Sequence, residues 1–329
     1  MAKKTQRTFA KPENQVRRLM QRDQSKARTD ATRLSSIGTR RNYEDRLIQF
    51  GRWLQAEKRG TAIMDATVQD VESWLEAELA KGLSQKTLDM DRHAGDFLLH
   101  ETGRLGTTAK LERVKATNPA TKEPRAYTQQ EVDAITSRMA ERNALAVEIC
   151  FAAGLRAHEL LTLQPLTPDS RQPDVRYYDT EKTQPKNSPL KFTNASGQAH
   201  GIAYTVQGKG GLVREIRLPE NLAEHLEAKR LETPATVTDR KIHYHEVRYD
   251  IGAGQQLTRA FSKMSQAVLK DTGRTNHGIH GLRHSYAQDR LDTLIRNPAI
   301  GTYEKALEIV SQELGHWRPS VTLEYLNRK

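Results

Sequence analysis

The chain reads as a mainly α-helical protein of two modules, the second carrying a small antiparallel β-sheet. Three observations predict this. Apolar residues recur at helical spacing along much of the chain, as in Tyr43, Leu47, Phe50 and Leu54. A polar, proline-bearing stretch, TNPATKEPRAY with Pro119 and Pro124, separates two such series. Two strand-like runs, GIAYTV and LVREIRL, flank the glycine-rich turn Gln207-Gly208-Lys209-Gly210-Gly211.

Residues 1–34 are basic with little sustained periodicity. Arg17, Arg18, Arg22, Lys26 and Arg28 suit a flexible arm or a frayed helix ordered by phosphate, or a solubilising leader. A helical module is expected over 35–118. Its first helix carries the Tyr43 series. Thr67 and Asp70 can cap a second, which buries Val68, Val71, Leu75 and Leu79 and stops at Gly82. Ser84 can start a third with Leu88, Phe97 and Leu98 inward, and a short helix is expected around Leu111 and Val114. Residues 119–127 then read as a linker.

The second module, 128–329, opens with a capping box from Thr128 to Glu131. NALAVEICFAAGL is too apolar for a surface helix, and Gly154 should end it two residues before Arg156. Polar material near 170–200 and 232–256 reads as insertions, with some strand character in VRYY and a flexible excursion in the second. His243 and His245 there alternate as strand neighbours would, without the carboxylate–histidine cluster a metal centre needs, so no metal is expected. FSKMSQAVLK, the segment from His280, and residues 301–313 are further helices. Pro319 suits the first turn of a last one, docked through Val321 and Leu326.

Composition narrows the function. Fifty-two Lys and Arg against 41 Asp and Glu leave a formal charge of +11, which suits an acidic partner. Nucleic acid is the first candidate, with membrane surfaces and acidic proteins also open. Cys150 is the single cysteine, which excludes an intrachain disulfide or a cysteine-based zinc finger. With no signal-peptide pattern and no bilayer-length apolar run, a cytoplasmic protein is expected.

The chemistry-bearing residues cluster late. His280, Arg283 and His284 stand at i, i+3 and i+4, on one face of a helix. Two imidazoles and a guanidinium make a poor core stripe, since each is costly to bury unpaired. Transfer at a phosphodiester needs neutralised nonbridging oxygens, an in-line nucleophile and a proton for the leaving oxygen. Arg156 and Arg283 can serve the first need with forked charged donors. The Tyr325 phenol can serve the second and Lys209 the third, while His280 can assist proton transfer and His316 can hydrogen-bond a phosphate oxygen. Taken singly, each has an ordinary reading as a surface charge, ion-pair member or satisfied core imidazole. The Gly-rich turn at Lys209 lacks the GxxxxGK[ST] pattern of a nucleotide-binding loop.

In their order along the chain, these segments resemble the tyrosine recombinase/phage integrase family. AAGLRAHELLTL resembles its first arginine motif, GKGGLVREIRL its sheet-turn region, HGLRHSYA its HxxR box and LGHWRPSVTLEYLNR its terminal motif. The resemblance implies Arg156 and Arg283 as phosphate ligands, Lys209 as general acid, His280 and His316 as further site residues, and Tyr325 as nucleophile. It makes Glu159 a residue that positions the first motif, and His284 one that backs the site. The fold it implies is a helical core-binding domain plus an α-rich catalytic domain with a small antiparallel sheet, clamped around duplex DNA. The activity it implies is site-specific recombination through a 3′-phosphotyrosyl intermediate and a Holliday junction. Four subunits would assemble on paired double-stranded DNA sites, without cofactor, metal or ATP, and with room for an accessory DNA-bending or directionality protein. A type IB topoisomerase-like enzyme and an inactive DNA-binding protein are the alternatives. Only four residues follow Tyr325, where many relatives use a longer tail to dock on a neighbouring subunit.

Overall fold

The computed structural model describes residues 10–326 except 28, 31, 35, 58–59, 118–122, 175–187, 271 and 317. The chain divides into two compact units, residues 1–121 and 122–329, each with its own apolar core.

The first unit holds helices α1 (Pro12–Ser25), α2 (Ile37–Ala56), α3 (Val68–Ala80) and α4 (Gln85–Glu101). Ser36, Thr67 and Ser84 cap α2, α3 and α4, and the Thr67–Asp70 pair closes a reciprocal capping box. Leu47, Phe50 and Leu54 from α2 meet Val71, Trp74 and Leu75 from α3, with the Phe50 and Trp74 rings 5.1 Å apart. Two expectations fail here. Residues 12–25 of the expected flexible arm are a helix packed into the core through Val16, Leu19 and Met20. Its basic residues mask a stripe spaced 3 to 4 apart, and Arg40 pairs with its fully buried Asp23 at 2.8 Å. The helix expected around Leu111 is absent: residues 109–116 are irregular. Leu111 is buried all the same, and its amide donates to Asp96 Oδ1 at 2.8 Å, replacing a helical bond.

The second unit begins with α5 (Gln129–Thr136), capped by Thr128 and Glu131, and α6 (Glu141–Ala153), the buried apolar helix. A three-stranded antiparallel sheet follows in the order β1 (Gln164–Pro165), β2 (Ile202–Gln207), β3 (Val213–Leu218). The β2–β3 register runs from Ile202 opposite Leu218 to Gln207 opposite Val213, so Lys209 sits in the connecting turn. After α7 (Glu220–Glu227) come β4 (Arg230–Asp239) and β5 (Ile242–Tyr249), a separate two-stranded ribbon. This overturns the flexible excursion expected at 232–256. More than half of the ribbon residues are exposed, and its alternation pairs small or aromatic residues with threonines and histidines, a weak strand signal; only Val247 and Tyr249, at the end of β5, are buried. His243 and His245 stand across from threonines, His243 Nδ1 lying 2.9 Å from Thr238 Oγ1. Four helices complete the unit: α8 (Gly254–Leu269), α9 (Gly281–Ile295), α10 (Tyr303–Leu314) and α11 (Pro319–Leu323).

Of the expected insertion near 170–200, VRYY (175–178) lies outside the described residues. Residues 188–200 are tied to α10: the Phe192 amide donates to Glu313 Oε1 at 2.7 Å and the Ser188 amide to Gln312 Oε1 at 2.9 Å. No described helix is long and apolar enough to cross a membrane.

Candidate active site

Arg156 stands just beyond the end of α6. Gly154 closes that helix in the left-handed conformation, φ 61°, with its amide bonded to Cys150 O. The turn that follows is held by Glu159, which accepts from the Arg156 amide at 3.0 Å and from Arg156 Nη1 at 2.6 Å. Glu159 is fully buried and also takes Arg214 Nη2 at 2.8 Å. Burial alone would raise its pKa, but Arg214, Arg283 and Arg156 outweigh that and hold the carboxyl well below the usual carboxylate range. Glu159 therefore stays ionised and fixes one edge of the Arg156 guanidinium. The Arg156 side chain remains 25% exposed, so the rest can meet a ligand.

Arg214 was missed in the sequence, although the signal was there. It shares the β3 face of Ile216 and Leu218, both inward, and an arginine on that face demands a buried acid. The turn after β2 reaches the same place. A Cβ added to Gly208 would lie 3.1 Å from Glu159 Oε1 and 3.8 Å from Arg156 Nη1. The backbone of Lys209 is thus one residue from the Arg156–Glu159 pair; its side chain lies outside the described residues.

His280 immediately precedes α9, and Arg283 and His284 lie in its first turn. Gly281 has to be glycine: a Cβ there would meet Tyr127 Cε2 at 2.3 Å and Arg125 O at 2.5 Å. Ser285 pins that crossing chain, accepting from the Tyr127 amide at 2.8 Å and donating to Tyr127 O at 2.9 Å. Arg283 is fully buried. Its Nη1 donates to Gly154 O and its Nη2 to Leu314 O, the carbonyls where α6 and α10 end. Nη2 also points at His316 Nε2, 3.0 Å away, while the buried Nε–H has no hydrogen-bond partner among the described residues. Burial, then the nearby Arg156, lower Arg283 to about 9, which leaves it charged at neutral pH.

A guanidinium only donates, so His316 Nε2 must be the accepting nitrogen. The proton then sits on Nδ1, which donates to Thr322 Oγ1 at 3.0 Å. Burial, followed by Arg283 and Arg156, pushes His316 down to about 2, in keeping with a neutral ring. His316 had been expected to bond a phosphate oxygen directly; in this structure its Nε2 is committed to Arg283.

Tyr325 follows α11 and is only 9% exposed. Its ring lies between His284, stacked at 4.5 Å, and His316 at 4.7 Å, and its hydroxyl is 3.1 Å from His280 Nε2. The Arg283 guanidinium sits over the same ring at 5.9 Å. Gln288 Nε2 donates to Tyr325 O at 3.0 Å, fixing the backbone. Docking through Val321 does not occur: Val321 is 40% exposed, and Thr322 and Tyr325 turn inward instead. Burial, then Arg283, lowers His280 to about 4; burial, then His280, does the same to His284.

The structure thus gathers Arg156, His280, Arg283, His316 and Tyr325, and brings the Lys209 turn alongside. The arrangement offers a buried cationic floor, a phenol touching a neutral imidazole, and a buried carboxylate, Glu159, that is tied to two arginines.

By sequence, residues 30–94 match the family model of the phage integrase N-terminal SAM-like domain. No curated protein matches. Solved structures share the fold over nearly the whole chain. The XerH site-specific recombinase, bound to palindromic difH substrate in a post-cleavage complex, aligns with a TM-score of 0.53 at 15% identity, covering 98% of this chain and 94% of that one. The Tn1549 transposon integrase, in complex with transposon right-end DNA, gives 0.52 at 16% identity, covering 94% and 95%. A lambda integrase tetramer bound to a Holliday junction gives 0.53 at 15%, covering 96% and 78%. The fold is that of the tyrosine recombinases. The sequence match covers an integrase-type N-terminal domain, and the fold of the whole chain is similar to that of these recombinases.

Proposed function

We propose that the protein is a cytoplasmic site-specific DNA recombinase in which Tyr325 is the nucleophile. The observation that carries this is the Tyr325 hydroxyl, 3.1 Å from His280 Nε2 and packed against the Arg283–His316 pair. A phosphodiester seated there receives charged donors from the exposed part of Arg156, over the positive charge of the buried Arg283. Tyr325 Oη attacks phosphorus as its proton passes to His280 Nε2, whose basicity rises once the phosphate charge is beside it. The P–O5′ bond breaks, and the 5′ oxygen takes a proton from Lys209. The products are a 3′-phosphotyrosyl ester and a free 5′ hydroxyl.

The ester keeps the bond energy, so a 5′ hydroxyl from a second duplex can reverse the step without nucleotide or metal. Two such exchanges on paired sites pass through a four-way junction and call for four subunits. The lambda integrase relative was solved as a tetramer on a Holliday junction, and XerH after cleavage of its substrate, which supports this scheme. The test is a nicked suicide duplex carrying a candidate site from DNA flanking the gene. The wild type should become covalently attached through Tyr325, and Tyr325→Phe should bind without attaching. Adduct formation by Tyr325→Phe would refute the assignment. Joining of strands between two duplexes, rather than relaxation of an arbitrary supercoil, would mark it as a recombinase.

A further inference from the structure

The β4–β5 ribbon ends in a two-residue turn, with Asp239 opposite Ile242 and Arg240 and Lys241 between them. Both turn residues are left-handed, at φ 50° and 67°. Two-residue turns of this kind favour Asn-Gly, because a β-carbon at either position crowds the backbone. Here two long cations occupy them. Both are exposed, and neither forms an ion pair among the described residues.

The turn is also held in place. Asp239 Oδ1 accepts from the Gln255 amide at 3.0 Å, at the start of α8. The neighbouring Gly254 amide donates to Ala157 O at 2.8 Å, and Ala157 follows Arg156. Three consecutive links therefore join the ribbon tip to the segment that carries Arg156. His158 registers the proximity: burial first, with Arg156 and Arg240 adding to it, holds its imidazole below the ordinary value.

We propose that Arg240 and Lys241 form a second anion contact, which grips the phosphate backbone of duplex DNA beside the Arg156 segment. This rests on the recombinase reading. A backbone outlier is retained where it serves a purpose, and cations displayed next to a phosphate-binding arginine suit a ligand that repeats its phosphates at short intervals. Such contacts fix register on the duplex and read no bases. An acidic protein surface would meet the same cations, but it would not place a further phosphate at Arg156.

The test uses the full chain and a labelled mixed-sequence duplex of about 40 base pairs, titrated from roughly 50 to 200 mM salt. Arg240→Asn with Lys241→Gly gives the turn its preferred residues, so the melting temperature should hold or rise. Affinity should nonetheless fall about tenfold, and the slope of log affinity against log salt should become shallower by about one to two. Arg240→Gln with Lys241→Gln should behave alike in binding. Unchanged affinity and slope in both variants would overturn the proposal. So would an equal loss in Arg296→Gln with Lys305→Gln, which removes the same charge elsewhere. If the wild type shows no salt-sensitive duplex binding, the recombinase reading falls and takes the turn contact with it.

Discussion

Thr322 is fully buried, and its hydroxyl receives the Nδ1 proton of His316. That bond sets which ring nitrogen faces Arg283. Thr322→Val removes the acceptor and leaves a buried N–H unpaired, so strand cleavage should fall roughly tenfold, or about 1.4 kcal/mol, with Thr322→Ser restoring it. Suicide-substrate rates measure both. The histidines also make stability depend on pH. His284 is 5% exposed and its folded pKa, about 4, lies below the unfolded value near 6.5. Below pH 6.5 the unfolded chain therefore takes a proton that the native ring refuses. Its stability contribution is complete above pH 6.5 and is lost as the pH falls toward 4, by about 2 kcal/mol already at pH 5. Melting curves should show the loss, and His284→Gln should make it less steep, the remaining slope coming from His280 and His316. The motif residues Arg156, His280, Arg283, His316 and Tyr325 were legible because their chemistry is unusual and their order is fixed. Thr322, Gln288 and Arg214 were not singled out, because a threonine, a glutamine and an arginine are ordinary letters until their partners are seen.

Elements differ in how plainly they announced themselves. Capped helices with apolar stripes, such as the Thr67 and Thr128 starts, could be read directly. Helix α1 could not, because its charged residues outnumber the three apolar ones that pack it down. Leu19 is fully buried there, so Leu19→Ala should destabilise the first unit by about 2–5 kcal/mol in chemical denaturation; a flexible arm would show no change. The ribbon was obscured for another reason: only its far end, at Val247 and Tyr249, meets the core, and most of its residues face solvent. Glu313 on α10 ties three elements at once. It accepts both forks of Arg290, at 2.8 and 2.9 Å, the Tyr286 hydroxyl at 2.9 Å and the Phe192 amide. Glu313→Ala would strand a buried arginine and should cost about 3–5 kcal/mol, enough to unfold α10 and with it the Tyr325 side of the site.

At the scale of the whole chain, each unit buries its own apolar cluster, so residues 122–329 expressed alone should fold cooperatively. Circular dichroism melting of that piece checks it. Pro119 and Pro124 mark a boundary in the sequence, whereas the antiparallel register and the remote meeting of Arg156 with Arg283 depend on packing that no local pattern encodes. That meeting has one more consequence. Both hands of Arg283 rest on carbonyls at the ends of α6 and α10. Adding a single residue within α10 would swing Leu314 O through about 100° and advance it by about 1.5 Å, with little change in helix stability. The two helix lengths therefore act as a gauge block for the arginine. Loops and surface letters are free to drift as long as those two lengths do not, which suits a fold still shared at 15% identity.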